Sequence, residues 1–243
     1  MDTCAFYLAI KTLEQITPAI RTLLVVIPES QQRPATENLI SLISSNQNSV
    51  LENSRICACY ILKSYPKVPS EMALSLTSIA TEGAKNNFLS KATHPRAFFT
   101  DLRCEIISFI TDFSLADDDF HKNLIEQDKL VKTLILCLDD YTRNHKGDIG
   151  STVRIAAMQN IQKLEKFYKY LPPATQTLLI GKILQQGAEK ILRIREEAGK
   201  EMVFISSILQ GGLSIWISIG VLICSSIDVP ICSEIRKFSA FMR

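Results

Sequence analysis

A chain of 243 residues, of which 47% are hydrophobic and 21% are charged, is long enough for one large domain with a sizeable core. Its 27 basic and 25 acidic residues are interspersed and leave a net charge of +2, which excludes the strongly basic footprint of a nucleic-acid-binding protein. The seven cysteines lie mostly in apolar stretches, which is typical of buried thiols in a reducing compartment and predicts a cytoplasmic protein.

Apolar residues recur every three or four positions along most of the chain, and this period predicts an all-α fold. Thr36 and Ser151 are the predicted N-caps of two of the helices. Residues 28–34 and 142–150 are predicted to be loops. The predicted helices cover, in order, residues 3–16, 18–27, 36–44, 49–64, 70–83, 96–113, 120–126, 128–140, 151–170, 174–186 and 188–209.

The stretch from Val203 to Ile227 contains no charged residue, and its 25 positions are enough to cross a bilayer. Glycines and serines within it weaken that interpretation. The alternatives are a buried terminal helix that breaks at Gly211 and Gly212, or a segment that is foreign to the fold. Residues 210–243 are therefore set apart as a divergent hydrophobic tail.

Three predicted helices share a pattern in which an arginine precedes an alanine by three positions, and a fourth helix carries a looser version of it. The arginines recur at intervals of 48, 51 and 41 residues, close to the period of HEAT and armadillo repeats. A small residue lets a neighbouring helix approach, while the arginine can reach across the stack to an acid. The pattern predicts an α-solenoid, in which Asp148 pairs with the arginine six residues later. The four arginines are Arg55, Arg103 (the loosest match), Arg154 and Arg195.

Motifs that carry catalysis or bind cofactors are missing. His94, His121 and His145 have no second ligand at metal-binding spacing, and Cys57 and Cys59 point to different sides of one helix. The sequence contains no phosphate-binding glycine loop and no nucleophile elbow. It therefore predicts a binding protein without metal or cofactor, and not an enzyme.

The amino-acid sequences of two segments resemble those of one protein family. The first runs Leu-Asp-Asp-Tyr-Thr at 138–142, Lys-Gly-Asp-Ile-Gly at 146–150 and Val-Arg-Ile-Ala-Ala-Met at 153–158. The second is Gln-Gln-Gly-Ala-Glu-Lys-Ile-Leu-Arg-Ile-Arg at 185–195, in which Gly187 and Leu192 depart from the pattern. In order and spacing they resemble the C-terminal domain of the tubulin-folding cofactor D family. The resemblance covers residues 100–209, and residues 1–99 are predicted to form further HEAT-like or armadillo-like repeats.

This resemblance implies a cytosolic, cytoskeleton-associated chaperone that acts after the chaperonin. Such a protein binds β-tubulin, helps to join it to α-tubulin together with other tubulin-folding cofactors, and contributes to stimulating GTP hydrolysis by tubulin. The family also binds an Arf-like small GTPase. Two alternatives remain open: a HEAT-type adaptor of another pathway, and a helical protein anchored in a membrane through residues 203–227.

The candidate partner-binding residues are Asp139, Asp140, Tyr141, Lys146, Asp148 and Arg154. For Asp148 and Arg154 the favoured alternative is a structural pair that shapes the repeat. Asp139 and Asp140 are expected to be exposed at the end of a helix, where acids are unfavourable to the helix dipole. That cost makes these two carboxylates the better candidates for a contact with tubulin or a sister cofactor.

Overall fold

The computed structural model describes residues 11–12, 15–19, 22, 25–44, 52–65, 68, 70–84, 99–116, 120, 123–145 and 147–208. This part of the chain is mostly helical, so the all-α prediction is confirmed. Its helices are α1 (Glu29–Ser44), α2 (Glu52–Lys63), α3 (Ser70–Leu74), α4 (Thr77–Ala80), α5 (Thr100–Ala116), α6 (Leu124–Cys137), α7 (Gly150–Lys163), α8 (Pro173–Gly187) and α9 (Leu192–Ile208). A 3-10 segment (Glu165–Tyr170) follows α7, and a short hairpin of β1 (Arg143–Asn144) and β2 (Gly147–Asp148) precedes it.

The helices contact one another in a regular order. α2, α5, α7 and α9 pack one against the next, and each of them also packs against the helix or helices that precede it in the chain. Thus α1 lies on α2, α3 and α4 lie on α5, α6 lies on α7, and α8 lies on α9. The apolar side chains facing these contacts are buried at three- and four-residue steps, as on α5 at Leu102, Ile106, Phe109 and Ile110.

Each arginine of the repeated pattern occupies the fourth or fifth position of its helix, at Arg55 in α2, Arg103 in α5, Arg154 in α7 and Arg195 in α9. The first three side chains are almost completely buried. The guanidinium of Arg55 lies over the ring of Phe99 at 5.5 Å. Equivalent residues of three successively packed helices, α2, α5 and α7, therefore reach into the core, whereas Arg195 of α9 is only half-buried.

Several predicted boundaries were wrong. The predicted loop at 28–34 belongs to α1, which includes Pro34 and loses one backbone hydrogen bond there. Thr36 caps nothing, because it lies within α1 and its hydroxyl donates to the carbonyl of Gln32 at 3.0 Å. Helix α6 replaces the helices predicted at 120–126 and 128–140, and it begins after Asn123, whose side chain accepts from two backbone N–H groups. The predicted helix 70–83 is divided into α3 and α4, and 151–170 into α7 and the 3-10 segment.

Candidate functional site

The segment between α6 and α7 is a tight polar hairpin. β1 and β2 pair antiparallel with Arg143 opposite Asp148 and Asn144 opposite Gly147. Gly147 has φ of 117°, a backbone conformation that glycine adopts without steric cost. The N–H groups of Ile149 and Gly150 both donate to the carbonyl of Thr142 at 3.0 Å and close the loop. This closure carries the chain directly into α7.

Asp140 lies at the base of the hairpin and is completely buried. Its carboxylate forms a salt bridge with Arg103 of α5, and neither side chain is exposed to solvent. The other carboxylate oxygen accepts from the N–H of Thr142 at 3.0 Å. The expectation of an exposed Asp140 was therefore wrong, because a buried cation offsets the unfavourable position at the end of α6. Its side chain offers no surface to a partner.

Arg154 joins both ends of the hairpin from the first turns of α7. One Nη donates to the carbonyl oxygen of Asp140 at 2.8 Å, and the other donates to the carboxylate of Asp148 at 2.9 Å. Its guanidinium also lies over the ring of Tyr141, 4.2 Å from the centroid. The Asp148–Arg154 pair predicted from the six-residue spacing is confirmed. We call Arg103, Asp140, Asp148 and Arg154 the buried ionic network.

Asp148 also caps α7. Its carboxylate accepts from the N–H of Ser151 at 3.1 Å, and its carbonyl accepts from the Ser151 hydroxyl at 2.8 Å. The prediction of Ser151 as the N-cap was wrong, since α7 begins one residue earlier, at Gly150. An acid at the start of a helix is favoured by the helix dipole, so Asp148 serves the helix and Arg154 together.

Two glycines allow the network to close. A Cβ atom on Gly83 would lie 2.1 Å from a guanidinium nitrogen of Arg103 and 2.3 Å from the carboxylate of Asp140. A Cβ atom on Gly150 would lie 2.3 Å from the backbone carbonyl oxygen of Asp140. Both distances are far below van der Waals contact. These positions therefore exclude any side chain, whatever the local backbone conformation.

The two sequence segments that resemble one family, residues 138–158 and 185–195, contact each other. The Tyr141 hydroxyl donates to the carboxylate of Glu189 and accepts from the Gln185 side-chain amide at 3.2 Å. The side-chain amide of Gln186 donates to the carbonyl of Leu138 at 3.0 Å. Partial burial and the contact with Glu189 both raise the pKa of Tyr141. The loop after α8 is thereby fixed to the hairpin.

The outer part of this contact is accessible. Lys182 of α8 donates to the carboxylate of Asp139 at 2.6 Å, and their side chains are 24% and 32% exposed. We call Asp139, Tyr141, Lys182, Gln185 and Glu189 the polar edge. The sequence predicted Asp139 and Tyr141 as partner-binding residues. It did not indicate Lys182, because the partner of Lys182, Asp139, lies 43 residues away in the chain. Gln185 and Glu189 belong to the second segment that resembles the family, residues 185–195, so the resemblance could have identified them as candidate site residues.

The six candidate residues thus divide by position. Asp139 and Tyr141 belong to the accessible polar edge, while Asp140 and Arg154 are completely buried. The Asp148 side chain is 17% exposed. Lys146 lies outside the described residues.

In the described part of the chain, no group of three or more His, Cys, Asp or Glu side chains could hold a metal ion. Burial raises the pKa of the Cys59 and Cys104 thiols to about 12, so neither is an effective nucleophile at neutral pH.

No helix among the described residues is long and apolar enough to span a bilayer. Of the predicted span 203–227, residues 209–227 lie outside the described part of the chain.

Fold and site together define an all-α protein that has a buried ionic network beneath a partly exposed polar edge. No protein-family model matches the sequence, and neither a curated protein nor a solved structure matches it.

Proposed function

We propose that this chain is a binding scaffold of the tubulin-folding cofactor D type, which holds β-tubulin and supports assembly of the αβ-tubulin dimer. The observation that carries the proposal is the meeting of the two segments that resemble this family. Tyr141 of the first segment is joined to Gln185 and Glu189 of the second, across 44 and 48 residues of sequence. Residues of both segments take part in this one contact. A shared functional surface would therefore explain why both segments resemble the same family.

The same proposal includes a HEAT-type solenoid. Its support is the order in which α2, α5, α7 and α9 pack, together with the equivalent arginine near the start of each of these helices. In a solenoid each repeat mainly contacts its neighbours, and the connecting segments form continuous binding surfaces. The polar edge lies on the connections between α6 and α7 and between α8 and α9, together with the last turns of α8.

The polar edge suits a partner that exchanges hydrogen bonds. Asp139 and Lys182 are partly exposed and already paired, so a partner with complementary charges can replace one intramolecular bond by an intermolecular one. Tyr141 adds an amphipathic side chain of the type that interfaces favour. In this scheme the nucleotide belongs to tubulin, whose GTP hydrolysis the scaffold helps to stimulate. Sister cofactors and an Arf-like small GTPase are further proposed partners.

The proposal is tested by retention of β-tubulin on the purified full-length chain. We expect the wild type to retain β-tubulin from cytosol and to bind purified tubulin directly. The Asp139→Ala variant should bind about tenfold more weakly, which corresponds to loss of about 1.4 kcal/mol.

Asp112→Ala is the matched control. Asp112 also pairs with an exposed lysine, Lys163 at 2.7 Å, but it lies on α5, outside the polar edge. It should bind tubulin as the wild type does. Failure of the folded wild type to bind tubulin would refute the proposal and favour an adaptor of another pathway. Equal losses in both variants would contradict the assignment of the polar edge.

A further inference from the structure

Glu201 is a buried carboxyl group in the middle of α9. Only 2% of the residue is exposed, and none of the ion pairs among the described residues includes it. A carboxylate in that position would lose its hydration without gaining a cation. Protonation is the usual response of a buried carboxyl group.

The Tyr168 hydroxyl lies between two possible acceptors, one of which is Glu201. The Tyr168 hydroxyl lies 2.6 Å from the carbonyl oxygen of Ile161 and 3.0 Å from a carboxyl oxygen of Glu201. A phenol has one proton to donate, whereas a carbonyl and a carboxylate are both acceptors. If Tyr168 donates to Ile161 over the shorter distance, a second proton is needed for the bond to Glu201. Protonation of Glu201 supplies that proton, and its carboxyl then donates to the phenol oxygen instead of accepting from it.

The charges around Glu201 also oppose its ionisation. Glu197 on the same helix and Glu165 on the 3-10 segment both act on it as like charges and raise its pKa, whereas a hydrogen bond donated by Tyr168 to the carboxylate acts in the opposite direction. Lys200 on α9 pairs with Glu197 at 3.1 Å. Arg195, also on α9, donates to the carbonyls of Glu189 and Lys190.

Cations on the other elements that pack against α9 have partners of their own. On α8, Lys182 pairs with Asp139, and on α7, Lys163 pairs with Asp112 while Arg154 belongs to the buried ionic network. On the 3-10 segment, Lys166 and Lys169 lie over the rings of Phe167 and Tyr170. No cation of these elements is thus paired with Glu201.

We propose that Glu201 is a proton switch, which holds α9 against the 3-10 segment when protonated and loosens that contact when it ionises. Burial is the main cause that raises the pKa of Glu201 to about 7, from an ordinary value of 4.5. Because the folded state holds the proton more tightly than the unfolded state, its stabilising effect is complete below about pH 4.5. The effect is lost as the pH rises through about 7.

The switch is connected to the polar edge, although it does not depend on the function proposed for that edge. Arg195 lies on the same helix as Glu201 and donates to the backbone carbonyls of Glu189 and Lys190 at 2.9 Å. Glu189 in turn accepts from Tyr141. Loosening of α9 at higher pH therefore loosens the loop that carries Glu189 of the polar edge.

Hydrogen exchange of the α9 amides in the full-length chain tests the proposal. After correction for the intrinsic exchange rate, the opening constant should rise by up to tenfold per pH unit between pH 5 and 7 and then level off. Glu201→Gln, which keeps a donor toward Tyr168, should abolish that rise. Glu196→Gln, on the same helix, is the control and should retain it, because Glu196 is not among the charges that raise the pKa of Glu201. A wild type whose opening constant does not change with pH, or a Glu201→Gln variant that behaves as the wild type, would overturn the proposal.

Direct titration of Glu201 covers the case in which Glu201→Gln does not fold. Carbon NMR of the labelled side-chain carboxyl in the wild type should show a midpoint near pH 7 for one glutamate. A midpoint for Glu201 between pH 4 and 5, the range of an ordinary glutamate, would refute the switch.

Discussion

Arg103 and Asp140 form a salt bridge from which solvent is fully excluded, across 37 residues of sequence. The pair joins α5 to the end of α6, and the backbone N–H of Thr142 satisfies the second carboxylate oxygen. Charges buried in this way cost desolvation energy, which their mutual attraction repays only when the geometry is good and the remaining groups are bonded. The network therefore fixes the position of the hairpin against α5 more than it adds to the net free energy of unfolding.

Removal of one member of that pair should be severe. Arg103→Met keeps much of the apolar volume but leaves the buried Asp140 carboxylate without its cation, and we expect a loss of about 3–5 kcal/mol of unfolding free energy. Lys163→Met, which breaks the exposed pair with Asp112, should change it little. Urea denaturation followed by circular dichroism measures both. An Arg103→Met protein as stable as the wild type would contradict the pairing described here.

Glycine substitutions provide a test of the close packing around Asp140. Gly83→Ala and Gly150→Ala place a methyl group within 2.1–2.3 Å of Arg103 or Asp140, so both should destabilise, by about 1–3 kcal/mol or more. Gly181→Ala is the matched control, since Gly181 lies in α8 with nothing within 4 Å of an added Cβ. It should stabilise the protein by about 0.5–1 kcal/mol. If thermal denaturation gave all three variants the same shift in Tm, the close approach at Gly83 and Gly150 would be ruled out.

Arg154→Ala separates a structural from a partner-binding role. Arg154 is completely buried and bonds Asp140 and Asp148, so its removal should lower the Tm by several degrees. Arg154→Lys should recover little, because an ammonium group cannot make the two bonds and stack on Tyr141 together. Unchanged stability with reduced tubulin binding would show that the structural role assigned to Arg154 is incorrect.

What the sequence predicted well was local. The three- and four-residue period of apolar residues located the helices. The spacing of six residues correctly predicted the pair between Asp148, just before α7, and Arg154 near the start of α7. The repeated arginines predicted side chains that reach into the core, and Arg55, Arg103 and Arg154 do so.

What the sequence left undetermined depends on distant partners. Asp140 looked exposed because the cation that permits its burial lies on α5, and nothing near Asp140 in sequence indicates it. Lys182 was missed for the same reason, since only folding brings it to Asp139. Tertiary packing also overrode local signals, as where Pro34 lies within α1 instead of preceding a helix.

Thiol reactivity should report the burial of the core directly. Burial raises the pKa of Cys59 and Cys104 to about 12, so only about one thiol in ten thousand is ionised at pH 8. Cys137 is completely buried and its pKa is also raised. Cys57, like Cys104, is only partly buried, and burial raises its pKa without the large shift seen for Cys104. We expect iodoacetamide at pH 8 to label Cys57 faster than the other three in the folded protein, as measured by peptide mass spectrometry. In guanidinium chloride the four rates should converge, because unfolding removes the desolvation that distinguishes them. Native labelling of Cys59 as fast as that of Cys57 would mean that α2 does not bury Cys59 in solution.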